Sequence, residues 1–83
     1  MPRIKEAKFT NRNAALKIHG NEHNPPHCHL YVGGFKATII IRTLEVIFND
    51  GVSKPDMQEA LAWMKGKTDL LLNKWDEWHA PRN

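Results

Sequence analysis

Two alternating runs joined by a glycine pair constrain this chain more than any other feature. His27-Cys28-His29-Leu30-Tyr31-Val32 leads into Gly33-Gly34 and then into Phe35-Lys36-Ala37-Thr38-Ile39-Ile40-Ile41-Arg42. Alternation with period two marks strands that bury one face. A two-residue glycine connection between such runs signals a tight antiparallel hairpin. A two-residue turn puts Val32 opposite Phe35, Leu30 opposite Ala37 and Cys28 opposite Ile39. Opposed residues share a face. One face therefore carries Cys28, Leu30, Val32, Phe35, Ala37, Ile39 and Ile41, nearly all apolar. The other carries His27, His29, Tyr31, Lys36, Thr38, Ile40 and Arg42. A slip of one residue would bury both histidines and expose the apolar row, which the hydrophobic effect opposes.

The neighbouring segments extend this sheet. Leu16, Lys17, Ile18 and His19 alternate, so a half-buried strand is expected over 14–19, with Lys17 and His19 on the polar side. A short edge strand is expected around Ile4–Phe9 and another at Leu44–Phe48. Gly20 to Pro26 reads as a loop, since Pro25-Pro26 cannot donate to a ladder. Asn49-Asp50-Gly51 reads as the turn that ends the sheet. Beyond it, Ser53 with Asp56 three residues later is a capping-box variant, and Pro55 suits a first helical turn. Met57, Ala60, Leu61 and Met64, then Leu71, Leu72 and Trp75, fall at helical spacing. Gly66 is expected to divide this stretch into two helices, or to kink one. The chain is thus read as one α+β domain spanning 1–83, with a sheet over 4–48 and helices over 54–79. Its architecture is an antiparallel β-meander of three to five strands, with one or two C-terminal helices on its apolar face.

Size and composition narrow the function. A chain of 83 residues suits one domain with a modest core, which a permanent partner would help to stabilise. The single cysteine, Cys28, forms no internal disulfide, the opening Met-Pro-Arg-Ile-Lys-Glu has no apolar run, and Ile39-Ile40-Ile41 is far too short for a membrane span. A cytoplasmic protein without a membrane segment is expected. Charge is uneven. Residues 1–42 hold seven Lys and Arg against two acids, whereas 43–83 hold five against seven. A basic front half favours a polyanionic partner, although an ordinary solvated surface accounts for it equally.

Three readings of the polar face follow. His27 and His29 form a His-x-His pair that a zinc site could use, with His19 or His23 as third ligand. Surrounding Lys and Arg oppose a cation, Glu22 is the only acid nearby, and Cys28 faces the core, so no metal and no cofactor is expected. The second reading is metal-independent phosphoryl transfer. Cleaving RNA at its own 2′-hydroxyl needs a base, an acid and a cation, and two imidazoles titrate near neutrality. His27 and His29 are the candidate catalytic pair, with Lys36 and Arg42 stabilising the phosphate. Lys17, His19, His23, Tyr31 and Thr38 are candidate nucleic-acid contacts. The third reading is structural: His27 closes the Pro-Pro loop on a backbone carbonyl, and His29 is a solvated strand residue or a protein contact. Trp63, Trp75 and Trp78 read as core or interface anchors, with Trp63 off the main stripe and so best placed to meet a partner.

His23-Asn24-Pro25-Pro26-His27-Cys28-His29-Leu30 resembles the His-x-Pro-Pro-His-x-His segment of a family of short bacterial proteins of unknown function, associated with DhiT-type toxins of type II toxin–antitoxin pairs. Thr43-Leu44-Glu45-Val46 resembles that family's third-strand segment, and the tail bearing Trp63 and Trp75 its ending. The resemblance spans roughly residues 15–78. It carries over His23, Pro25, Pro26, His27 and His29; Cys28 stands where the family usually has an aromatic residue, and 4–13 match poorly. It implies a small growth-inhibiting toxin neutralised by direct binding of a cognate antitoxin. A toxin acting on RNA, hence a candidate ribonuclease, is the resulting expectation. The rival is a non-catalytic binding module, an antitoxin or regulator that docks nucleic acid or protein, although the chain has neither a ribbon-helix-helix nor a helix-turn-helix pattern.

Overall fold

The hairpin forms in the register that its glycine pair dictates. In the computed structural model, which describes residues 3–19 and 23–79, Val32 pairs with Phe35, Leu30 with Ala37 and Cys28 with Ile39. Gly33 has φ +60° and Gly34 does not share that sign, the pattern of a turn that needs glycine at its first central position. Four antiparallel strands run in chain order across the sheet: β1 (Ala14–Lys17), β2 (His27–Val32), β3 (Phe35–Ile40) and β4 (Val46–Asp50). Two helices follow, α1 (Lys54–Met64) and α2 (Thr68–His79). The molecule is the expected α+β meander with a helical tail.

The apolar face becomes the core. Leu16, Ile18, Cys28, Leu30, Ala37, Ile39 and Ile41 are essentially fully buried, together with Met57, Ala60, Met64 and Leu71 from the helices. Cys28 Sγ lies 3.8 Å from Met64 Sδ, which ties the last turn of α1 to the start of β2. Burial pushes that thiol's pKa up to about 12, so it behaves as a small core residue. The helices begin and break where the sequence marks them. Ser53 Oγ accepts the Asp56 amide and donates to its carboxylate at 3.0 Å. After α1, Gly66 takes φ +83°, and Lys67 N donates to the Met64 carbonyl at 2.9 Å.

Several expectations are corrected. No edge strand forms over Ile4–Phe9: only an isolated bridge joins Arg3 to Lys17, and Ile4 N donates to Leu16 O at 2.9 Å. The sheet therefore starts at Ala14 and not at residue 4. The segment is nevertheless part of the core, because Ile4 and Ala7 are buried, Thr10 bonds Glu59 of α1 and Glu6 pairs with Lys74 of α2 at 3.2 Å. β4 begins at Val46 and runs through Asn49 and Asp50, later than the expected Leu44 start. Leu44 instead sits in the connecting turn with φ 63°, its amide bonded to Ile40 O. Arg42 belongs to this turn, not to β3. A register shift between Thr38 and Ile39 pairs Thr38 with Phe48 and Ile39 with Val46, leaving Ile47 out of the pairing. The loop residues Gly20, Asn21 and Glu22 lie outside the described residues. Among those described, no helix is long and apolar enough to cross a membrane.

Candidate functional site

The histidines of the second sheet face line up in one row. Lys17 and Thr38 flank His29 on the neighbouring strands, and Ala15 and Lys36 flank Tyr31. His19 follows β1 by two residues, and its Nε2 lies 2.9 Å from the Tyr31 hydroxyl oxygen. Its ring meets His29 edge to face, with centroids 4.4 Å apart. His29 meets His27 in the same way at 5.2 Å. His27 lies 5.1 Å from Trp75, which stacks on His79 at 3.8 Å. Tyr31, His19, His29, His27, Trp75 and His79 thus form a continuous chain of rings from the sheet to the last turn of α2.

The members of this row have different surroundings. His27 is 9 % exposed, and its Nδ1–H donates to Pro25 O at 2.8 Å. That bond sets the tautomer and leaves Nε2 as the acceptor of the neutral ring. His27 therefore closes the loop that carries the cis Asn24-Pro25 bond, and it is packed rather than presented to solvent. Its place beside Ile40 at the strand end, where Trp75 arrives, explains why the expected open polar face is buried there. His29 and His19 are half-buried. His29 Nδ1 is 3.3 Å from Thr38 Oγ1, whose residue is itself 8 % exposed. Lys17 Nζ stands 5.1 Å from the centre of the Tyr31 ring, putting a cation next to the phenol that binds His19.

The remaining candidates lie apart. Lys36 pairs with Tyr31 and Asp50 near the hairpin end, with Nζ 5.8 Å from the Phe48 ring. It is therefore level with Tyr31 and at the other end of β2 from His27. Arg42 rims a cleft of about 410 Å³ together with Pro25, Pro26, Ile40, Thr43, Glu45 and Ile47. His23 is exposed in the loop before Pro25. Sequence reasoning did not place Trp75 and His79 here. Their four-residue spacing shows a shared helix face, but only the packing of α2 brings that face to the imidazoles. Among the described residues no three His, Cys, Asp or Glu side chains gather into a metal-binding group.

Two imidazoles in contact supply what general acid–base chemistry requires.

Fold and row together define a small α+β domain with an imidazole-lined sheet face. Residues 15–76 match the family model described as "Domain of unknown function (DUF4160)", and the chain belongs to that family. No curated protein and no solved structure matches it.

Proposed function

We propose that this protein is the growth-inhibiting toxin of a toxin–antitoxin pair and cuts RNA in the cytoplasm without a metal, using His19 and His29 as its acid–base pair. The contact of these rings at 4.4 Å, with Tyr31 and Lys17 beside them, carries the reading. One imidazole takes the proton of a ribose 2′-hydroxyl, whose oxygen attacks the adjacent phosphorus. The bond from phosphorus to the 5′-oxygen breaks, the other imidazole protonates that oxygen, and a 2′,3′-cyclic phosphate remains. Lys17 and the Tyr31 hydroxyl stand where charge develops on the phosphate. His27 acts through His29 by holding its ring, and so is a positioning residue. The toxin assignment, and the cognate antitoxin it entails, rest on the resemblance of the segment from His23 to His29. The test is cleavage of total RNA in excess chelator. His19→Ala and His29→Ala should each lower the rate at least about 100-fold, and induction of the wild type alone should arrest growth. Unchanged cleavage by folded His29→Ala refutes the mechanism.

A second reading, a non-catalytic binding module, draws on two observations. His27 spends its Nδ1–H on a loop carbonyl, and no imidazole lines either of two clefts of the described surface. It predicts no cleavage with chelator or with added divalent metal.

A further inference from the structure

The N-terminal segment builds a cleft that the histidine face does not use. About 530 Å³ of space opens between this segment and β1, within the range of small-ligand sites. Arg3, Lys5, Lys8 and Arg12 line it, with Ala7, Phe9 and Ala14 supplying apolar surface. Among the described residues no carboxylate lines it. The acid of this stretch, Glu6, is paired with Lys74 on α2. Glu6 also acts on Lys5, but four cations gathered on one wall still carry a standing electrostatic cost, which a polyanion offsets.

The walls are held from several sides. Ile4 N is bonded to Leu16 O, Thr10 N and Oγ1 both bond Glu59 Oε2, and Ala14 N bonds Asn11 O at 3.0 Å. The cations therefore project from a fixed backbone, as a preformed site requires. All of this wall precedes residue 15, where the family match begins, so the match does not cover it. The cleft also connects to the row. Arg3 bridges Lys17, Lys17 covers Tyr31, and Tyr31 bonds His19.

We infer that this cleft binds single-stranded polynucleotide, its phosphates on the Arg3, Lys5, Lys8 and Arg12 rim and a base against Phe9. A cationic groove with an aromatic side chain is the recurrent solution for single strands, because charge tracks the backbone and every base has a face to stack. The strand then runs across β1 toward Lys17. The inference extends the RNA reading but does not need the histidines to cut, and the two fail separately.

The experiment is fluorescence anisotropy with labelled 12-nucleotide single-stranded RNA and DNA of the same sequence, over a range of salt. Two triple variants are compared. Lys5→Ala/Lys8→Ala/Arg12→Ala removes exposed cations from the cleft. Lys54→Ala/Lys65→Ala/Lys67→Ala removes the same charge from the helix ends. Thermal melts verify folding. The cleft triple should weaken binding at least about tenfold and flatten the plot of log affinity against log salt by about 2, at about 0.7 per phosphate contact. The helix triple should change affinity less than about threefold. Binding of both strands assigns the site to the shared backbone, and binding of RNA alone assigns it to the 2′-hydroxyl. Equal losses in the two triples, or no binding by the wild type at low salt, overturn the inference. Binding without cleavage keeps the cleft and removes the proposed catalysis; cleavage that persists while the cleft triple binds normally removes the cleft.

Discussion

His27 and Cys28 are adjacent, and each is buried for a different reason. His27 points toward the imidazole row and is held by a carbonyl and an indole. His27→Ala should cost about 2 kcal/mol, because it strands the Pro25 carbonyl and empties the space against Trp75. Chemical denaturation measures this, and a loss under about 0.5 kcal/mol would mean that the loop closes without the ring. Cys28 points into the core. With its pKa pushed up to about 12, it should resist a thiol reagent at pH 8 until the chain unfolds. The pH dependence has a definite sign. The folded pKa lies above the unfolded one, so the stability from keeping the thiol protonated is complete below pH 9 and shrinks as pH rises toward 12. Relative to Cys28→Ala, the wild type should lose up to about 1.4 kcal/mol per pH unit across that window. Parallel curves for the two proteins in alkaline urea titrations would rule this out.

The joint between β4 and α1 shows how an element is set by few residues. Gly51 has φ +91°, and a Cβ there would run into the Phe35 ring. Gly51→Ala should destabilise by about 2–3 kcal/mol, from the left-handed backbone and from the collision together. In a Phe35→Ala background the collision vanishes and only the backbone part should remain, so the two losses in thermal unfolding should differ. Two residues on, Ser53→Ala removes the helix cap and should cost about 1 kcal/mol. The glycines and the cap were legible in the sequence because each answers to a local backbone requirement. The irregularity at Ile47 was not. A bulge shifts which residues face the core, and period-two reasoning carried through Leu44–Phe48 cannot detect one extra residue. Its effect is to set Phe48 beside Thr38, on the face of the histidines.

For the whole molecule, the irregular N-terminal segment matters as much as any strand. Deleting residues 1–10 would uncover the space filled by Ile4 and Ala7 and cut the tie from Thr10 to Glu59, so it should cost about 3 kcal/mol or more. A midpoint in urea equal to that of the full chain would contradict this. The hairpin register, both sheet faces and the two helices were readable because each rests on a period or a cap. Ile4 was misread as strand because its burial comes from docking, which leaves no period in the sequence. The site divides in the same way. Alternation placed His27, His29, Tyr31 and Thr38 on one face, but His27's burial and the meeting with Trp75 and His79 depend on how α2 crosses the sheet. Arg42 left the face because the chain turns at Ile41, one residue past the end of β3.

The two margins of the sheet are unequal. Along β1 the Leu16 carbonyl is taken by Ile4 and Lys17 is bridged by Arg3, whereas β4 is the outermost strand on its side and carries Ile47 and Phe48 about half exposed. Among the described residues, β4 is thus the margin an extended segment would meet with its backbone groups open. Two copies meeting there would each use up the margin the other needs, making one continuous eight-stranded sheet with a two-fold axis at its middle. Growth by such a route would end at a pair, because Ile4 and Arg3 already occupy the other margin.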